Sequence, residues 1–159
     1  MARRHRRILL VLLLAACLPL VLLAMLSFFS GKPDNLGVVN GRLADCPATP
    51  NCVCTQCSDP EHHMEPLHFP GSPEEAMERL KGIIEAMLRS MLVTADDRYM
   101  HVQVTSRLFR FVDDVEFLIE PDTKTIHFRS ASRVGRSDLG VNRQRLEDIR
   151  HKFDDQGLP

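Results

Sequence analysis

Acidic residues are missing from the chain before Asp34, and residues 8–29 carry no charge of either sign. Four of the 20 Lys and Arg precede that stretch, which leaves 16 bases against 21 acids in the remainder, a net charge of −5. The overall composition, 44% hydrophobic and 26% charged, is that of an ordinary globular protein. The uneven charge argues against a simple soluble enzyme and against a generally basic nucleic-acid binder.

Several signatures of enzymes are also missing. The serines Ser130, Ser132 and Ser137 have no Gly-x-Ser-x-Gly elbow around them, and no Gly-rich phosphate-binding fingerprint with Lys is present. The arginines alternate with acids rather than with aromatic residues, so nucleic-acid binding has little support. The sequence therefore assigns no enzymatic activity and predicts no cofactor, and catalysis is the weaker alternative throughout.

The uncharged stretch at residues 8–29 predicts a single transmembrane helix. Its 22 residues would form a helix about 33 Å long, which is enough to cross a hydrocarbon core of about 30 Å. Pro19 is tolerated in such a helix. Arg3, Arg4, Arg6 and Arg7 precede the stretch, so the positive-inside rule keeps residues 1–7 in the cytoplasm. The rest of the chain is then expected in the periplasm or outside the cell, with the inner or plasma membrane as a partner.

Two other interpretations of this stretch stay open. One is a cleaved signal peptide, although the apolar region of such a peptide usually spans only about 7–15 residues. The other is a lipoprotein anchored at Cys17, because the preceding Leu14-Ala15-Ala16 resembles a lipobox. All three interpretations place the remaining residues outside the cytoplasm.

The exported part is long enough for one domain. Residues 30–43 read as a linker, and residues 44–154 as a domain with a cysteine-rich loop at 46–57. The order helix, strands, helix predicts an α+β fold with an antiparallel sheet of three or four strands and two helices on one face. A helix is expected to begin at Ser72-Pro73 with a capping box to Glu75, and to continue through an apolar stripe as far as Met91. The second helix is predicted from about Leu139.

The strand patterns also predict a register. Met100, Val102 and Val104 alternate with polar residues, and a bend or bulge is expected near Arg107 and Leu108. Across the turn at residues 120–124, the apolar sets align when Phe117 lies opposite Phe128 and Ile119 lies opposite Ile126. The same register places Glu116 opposite Arg129 as an opposite-charge pair.

Four cysteines, Cys46, Cys52, Cys54 and Cys57, lie within 12 residues. Outside the cytoplasm disulfides are the default, and we predict the pairs Cys46–Cys52 and Cys54–Cys57. A direct Cys52–Cys54 bridge is disfavoured by distance. Two alternatives remain: a metal site formed by these thiolates with His62 and His63, and a redox pair at Cys54 and Cys57.

Arginines are dense before and within the last predicted helix, and acids lie near them. An anion site is one interpretation, because guanidinium groups and a helix N-terminus bind phosphate, carboxylate or lipid head groups. The candidate residues for this site are Arg129, Arg133, Arg136 and Arg143, oriented by Asp113 and Glu116. A structural ion-pair network with Asp138 as helix cap is the competing interpretation. A hydrolase that acts on envelope material through Asp113 and Glu116 is a further alternative.

Three motifs resemble those of one known family. They are the segment Cys46-Pro47-Ala48-Thr49-Pro50-Asn51-Cys52-Val53, the run Phe111-Val112-Asp113-Asp114-Val115-Glu116-Phe117, and the stretch from Ile126 to Arg145. Together they resemble the domain of unknown function 1499 family of bacterial and plant proteins, over roughly residues 37–153. The resemblance implies a shared fold and no particular reaction. The function we expect is a membrane-anchored binding or envelope-maintenance module whose protein partners are not specified by the sequence.

Overall fold

The computed structural model describes residues 4–7, 15, 17–19, 25, 27 and 30–155. Within these residues no helix has the length and apolar character needed to cross a membrane. The predicted transmembrane helix at residues 8–29 lies mostly outside the described residues. Cys17 is described and takes no part in a disulfide.

The domain is α+β, as predicted. In chain order the elements are β1 (Cys52–Cys54), β2 (Leu67–His68), α1 (Pro73–Glu85), β3 (Ser90–Ala95), β4 (Tyr99–Thr105), β5 (Val112–Glu120), β6 (Thr125–Ser132) and α2 (Val141–Asp155). The strands form one antiparallel sheet in the order β1-β6-β5-β4-β3, and β2 also pairs with β6. The prediction of three or four strands was wrong, because the described chain has six. Two of the additional strands are very short. β1 lies in the predicted cysteine-rich loop, and β2 lies between that loop and α1.

The third additional strand, β3, replaces the predicted end of the first helix. The capping box at Ser72 and Glu75 is confirmed. The helix ends at Glu85, and Ser90 then donates its hydroxyl to the carbonyls of Ile84 and Met87. Met91 lies in β3, where it pairs with Gln103 of β4, instead of in the apolar stripe.

The predicted register between β5 and β6 is confirmed. Phe117 pairs with Phe128, Ile119 with Ile126, and Glu116 with Arg129. The bend expected near Arg107 and Leu108 is a complete turn between β4 and β5, closed by the bond from the Ser106 amide to the Phe111 carbonyl. The second helix begins at Val141, and Leu139 precedes it in a left-handed conformation with 93% of its surface exposed.

The sheet has two chemically different faces, because successive side chains in a strand point to opposite sides. On one face, apolar residues of β4, β5 and β6 pack with both helices to form the hydrophobic core. Its largest members are Phe117, Phe128, Phe153, Leu80, Ile83 and Met100. The opposite face, called here the polar face, carries Tyr99, His101, Asp114, Glu116, Arg129 and Arg133.

The segment at residues 33–47 covers the polar face. Its Gly37 amide donates to the Glu116 carboxylate at 2.7 Å. Its Leu43 side chain is buried, and the Leu43 amide donates to the Gln56 side chain at 2.9 Å. The predicted linker is thus attached to the domain at Gly37 and Leu43, although most of its residues are exposed.

Candidate functional site

The charged side chains of the polar face form two hydrogen-bonded groups. The first is centred on Glu116, which is fully buried. The Tyr99 hydroxyl donates to Glu116 Oε1 at 2.7 Å, and Arg129 Nη1 donates to Oε2 at 3.1 Å. Burial raises the pKa of the Tyr99 phenol, and the hydrogen bond to Glu116 raises it further. Because the Gly37 amide also donates to this carboxylate, Glu116 accepts hydrogen bonds from three donors.

The second group is centred on Asp114, which is 1% exposed. Arg133 binds it with a two-pronged contact, Nε to Oδ2 at 2.8 Å and Nη2 to Oδ1 at 2.9 Å. His101 Nε2 lies 2.8 Å from Oδ1. Burial alone would raise the pKa of the Asp114 carboxyl, but the hydrogen bonds from Arg133 and His101 outweigh it and the pKa lies below its usual range. Asp114 is therefore a stable anion that orients Arg133.

A pocket of about 340 Å³ lies between the covering segment and these two groups. We call it the cover pocket; its walls are Pro33, Asn35, Asp45, Cys46 and Pro47 on one side and Asp114, Arg129, Ala131, Ser132 and Arg133 on the other. Arg129 is 3% exposed, and its Nε is the one buried side-chain nitrogen or oxygen without a hydrogen-bond partner among the described residues. Arg129 thus lines the cover pocket and carries a buried, charged donor that the protein itself leaves unsatisfied.

The four predicted arginines do not come together. Arg129 and Arg133 line the cover pocket, whereas Arg136 is exposed in the loop before α2. Arg143 donates to the backbone carbonyls of Glu61 and His63. At the helix N-terminus that was expected to bind an anion, the Asp138 carboxylate accepts from one of the free amides, that of Asn142, at 2.7 Å. The predicted role of Asp138 as a cap is thus confirmed.

Asp113 and Glu116 lie on opposite faces of the sheet. Asp113 faces α2, where Arg145 and Ser132 donate to its two oxygens at 2.5 Å each. Glu116 lies beneath the covering segment. The two carboxylates that the hydrolase hypothesis requires are therefore separated by the backbone of β5, and Asp113 orients Arg145 instead of the predicted arginines.

Asn142 and Arg145 form a buried polar cluster that sequence reasoning missed. Asn142 is fully buried on α2 and accepts from Ser130 at 2.6 Å and from Arg145 at 2.6 Å. Its amide nitrogen donates to the Asn51 carbonyl at 3.0 Å. A signal existed, because Asn142 occupies the apolar stripe of the second helix, where a polar side chain needs buried partners.

The cysteine loop contains the two predicted disulfides, Cys46–Cys52 and Cys54–Cys57. The sulfur atoms of Cys46, Cys54 and Cys57 lie within 4.8 Å of one another. The histidines of the metal hypothesis, His62 and His63, lie beside the cysteines but do not belong to this group of three. His62 contacts the Asp59 carboxylate and the Thr49 carbonyl, and His63 contacts the Cys57 carbonyl. Any metal bound here would therefore take sulfur ligands, and only after reduction of the disulfides.

Comparison with known proteins identifies the family. A family model described as a protein of unknown function, DUF1499, matches residues 42–153. The chain belongs to this family. The match covers all eight described elements from β1 to the larger part of α2, and the resemblance seen in the sequence motifs is confirmed. No curated protein and no solved structure matches the chain. DUF1499 membership specifies no reaction, so the function has to be argued from the site.

Proposed function

We propose that this DUF1499 protein is a membrane-anchored binding module whose extracytoplasmic domain holds the acidic group of a small ligand in the cover pocket. The anchoring is supported by the uncharged residues 8–29 and by the four arginines that precede them. The location outside the cytoplasm is supported by the two disulfides, which persist mainly in oxidising compartments.

The observation that carries the proposal is the unpartnered Nε of Arg129. A buried N–H without an acceptor costs about 1–3 kcal/mol, and more when the group is charged. A carboxylate or phosphate oxygen in the cover pocket would satisfy it with a charge-assisted hydrogen bond. Arg133 lines the same pocket and uses Nε and one N–H of Nη2 for Asp114, so the second N–H of Nη2 and both of Nη1 remain as donors. The two arginines together supply a positive wall.

Asp45 limits which anions fit. It is exposed and lines the opposite side of the cover pocket, so its carboxylate repels a simple anion. A ligand that carries a hydroxyl or amino group beside its acidic group would instead donate to Asp45 while its acid faces Arg129. The volume of about 340 Å³ is near the lower end for small-molecule sites, about 300–1,000 Å³. We therefore propose a small, bifunctional acid.

The charge of Asp45 provides the first test. In titrations of the full-length chain in mild detergent with inorganic phosphate, Asp45→Asn should lower the Kd about two- to five-fold, because a repelling charge is removed from the pocket wall. The matched control is Asp34→Asn, which removes an exposed acid of the same segment that does not line the pocket. Equal Kd values for Asp45→Asn and the unchanged protein would contradict the proposed site.

Arg129→Lys tests the donor itself. Lysine keeps a positive charge for Glu116 but lacks the Nε–H, so phosphate binding should be lost while a melting curve shows a folded chain. Undiminished binding by a folded Arg129→Lys protein would contradict the proposal. Comparing inorganic phosphate with a short-chain phosphatidic acid then distinguishes a free anion from a lipid head group, because both present the same phosphate chemistry.

A second candidate function, binding of a soft metal ion, is favoured by the cysteine sulfurs. Three thiolates within 4.8 Å would suit zinc or copper(I) once the disulfides are reduced. A thiol count combined with elemental analysis of the purified full-length chain tests this. Disulfide-bonded protein without metal supports a structural role, whereas four reduced thiols in the loop with one bound metal ion would support the metal function.

A further inference from the structure

An exposed apolar and basic surface lies at one end of the sheet. It consists of Leu88 and Arg89, after α1, and of the turn residues Arg107, Leu108, Phe109 and Arg110; we call it the proximal tip. Leu88 and Leu108 are each 78% exposed. No acidic residue occurs in residues 86–95 or 98–112. An exposed acid of α2, Asp148, lines one pocket with Leu88, Arg89 and Arg107. Large exposed leucines among several cations are a pattern of surfaces that contact something apolar and negatively charged.

Two hydrogen bonds join Arg89 to Thr105, which precedes the turn of the proximal tip. The Thr105 amide donates to the Arg89 carbonyl at 3.0 Å, and Arg89 Nε donates to the Thr105 carbonyl at 3.1 Å. The turn itself is closed by the Phe111 amide, which donates to the Ser106 hydroxyl at 2.9 Å. The leucines are therefore presented by a preformed scaffold, and little ordering is required when they bind.

The N-terminal segment reaches this same end of the domain. The Ser27 hydroxyl donates to the Arg110 carbonyl at 2.7 Å, and Ser27 itself is buried. Ser27 lies near the end of the uncharged stretch at residues 8–29. The proximal tip is thus adjacent to the point where the proposed anchor ends, and the opposite end of the sheet faces away from it.

We infer that the proximal tip rests on the bilayer surface, with Leu88 and Leu108 inserted among the lipid head groups and the arginines bound to anionic lipids. The inference depends on the proposed anchoring, because that segment brings the tip to the membrane. Leucine side chains gain free energy on leaving water, and each Lys or Arg near an anionic leaflet adds electrostatic attraction. The docked tip would fix the orientation of the domain and hold the cover pocket at a constant height above the lipids.

The absence of tryptophan from the chain permits a direct test. Leu108→Trp introduces a single fluorophore at the proximal tip, and Asp97→Trp introduces one in the exposed β3–β4 turn, roughly 20 Å away at the other end of β4. Each full-length protein is reconstituted into phosphatidylcholine vesicles with and without phosphatidylglycerol, and brominated lipids serve as quenchers. We expect blue-shifted, quenched emission from position 108, stronger with phosphatidylglycerol, and water-like emission from position 97.

Vesicle flotation separates failure of the inference from failure of the anchoring. One outcome is that the protein floats with the vesicles while the tryptophan at position 108 shows the same water-like emission and the same lack of quenching as the one at position 97. In that case the tip does not touch the bilayer, and the inference is overturned. If the protein does not float after an alkaline wash, the proposed anchor is wrong and the inference falls with it. Equal quenching with and without phosphatidylglycerol would overturn the role of the arginines.

Discussion

At the scale of single residues, Asp114 is expected to contribute strongly to stability. Its carboxylate neutralises Arg133 and contacts His101 in a site that is almost completely buried. Removing one partner of a buried ion pair leaves the other charge uncompensated, which typically costs about 3–5 kcal/mol. Asp114→Asn should therefore lower the free energy of unfolding by about 3 kcal/mol at pH 7, whereas Asp122→Asn, in an exposed turn, should change it by less than about 0.5 kcal/mol.

The loss of stability in Asp114→Asn is also expected to depend on pH. A carboxyl whose pKa is lower in the folded than in the unfolded state stabilises the fold at pH values above the unfolded pKa, near 3.9 for Asp. That stabilisation is lost as the pH falls through the lower, folded pKa. The free energy of unfolding can be measured by urea unfolding followed by circular dichroism. The difference in this free energy between Asp114→Asn and the unchanged protein should be full at pH 7 and smaller below pH 4. A constant difference would mean that the Asp114 charge contributes nothing.

At the scale of elements, Asn142 joins α2 to the sheet and to the loop before β1. Its side chain contacts Ser130, Arg145 and Asn51, all of which are buried. Asn142→Ala leaves at least two buried polar groups unsatisfied, and the expected loss of stability is about 2–4 kcal/mol. Gln144→Ala, on the exposed side of the same helix, is the control and should have little effect. Similar melting temperatures for the two variants would show that this cluster does not hold α2 in place.

The elements also show which parts of the fold the sequence predicts. The β5–β6 register was predictable because two apolar pairs and one ion pair align in a single arrangement, and a shift by one residue would invert both faces. Strand β3 was not predictable, because Met91 continues the helical spacing while the helix is ended by a hydrogen bond from Ser90. Strands β1 and β2 span three and two residues, too few for any periodicity to appear.

Local sequence patterns did not predict the cover pocket either, because it depends on contacts between distant parts of the chain. Arg129 and Arg133 were selected from their density in the sequence, and both line the pocket. Arg136 and Arg143 were selected on the same basis, but one is exposed and the other binds backbone carbonyls. Arg129 and Arg133 differ from Arg136 and Arg143 in lying next to the covering segment. The placement of that segment depends on long-range contacts, such as the hydrogen bond between Gly37 and Glu116, which are 79 residues apart in the sequence.

At the scale of the whole molecule, the two faces of the sheet contribute differently to stability. The helices cover one face with a continuous apolar core, which accounts for much of the stability. The other face buries charged groups under a segment without regular structure, held by the Cys46–Cys52 disulfide and a few hydrogen bonds. A buried ion pair adds little net stability over apolar residues of similar volume, so the polar face contributes less to stability than the core does.

Charge is also distributed unevenly along the whole chain, and this predicts its orientation. Changing Arg3, Arg4, Arg6 and Arg7 to Gln removes the positive charges that precede the uncharged stretch, so a fraction of chains should retain the domain in the cytoplasm. The cysteines report the outcome in a bacterial host. An exported chain has both disulfides and one reactive thiol at Cys17, whereas a retained chain has five reduced thiols. Alkylation with a maleimide polymer after acid quenching resolves the two populations on a gel.

In the matched control all four arginines are changed to Lys. This variant keeps the positive charge and should behave as the unchanged protein. Full oxidation of the Gln variant would show that these charges do not set the orientation.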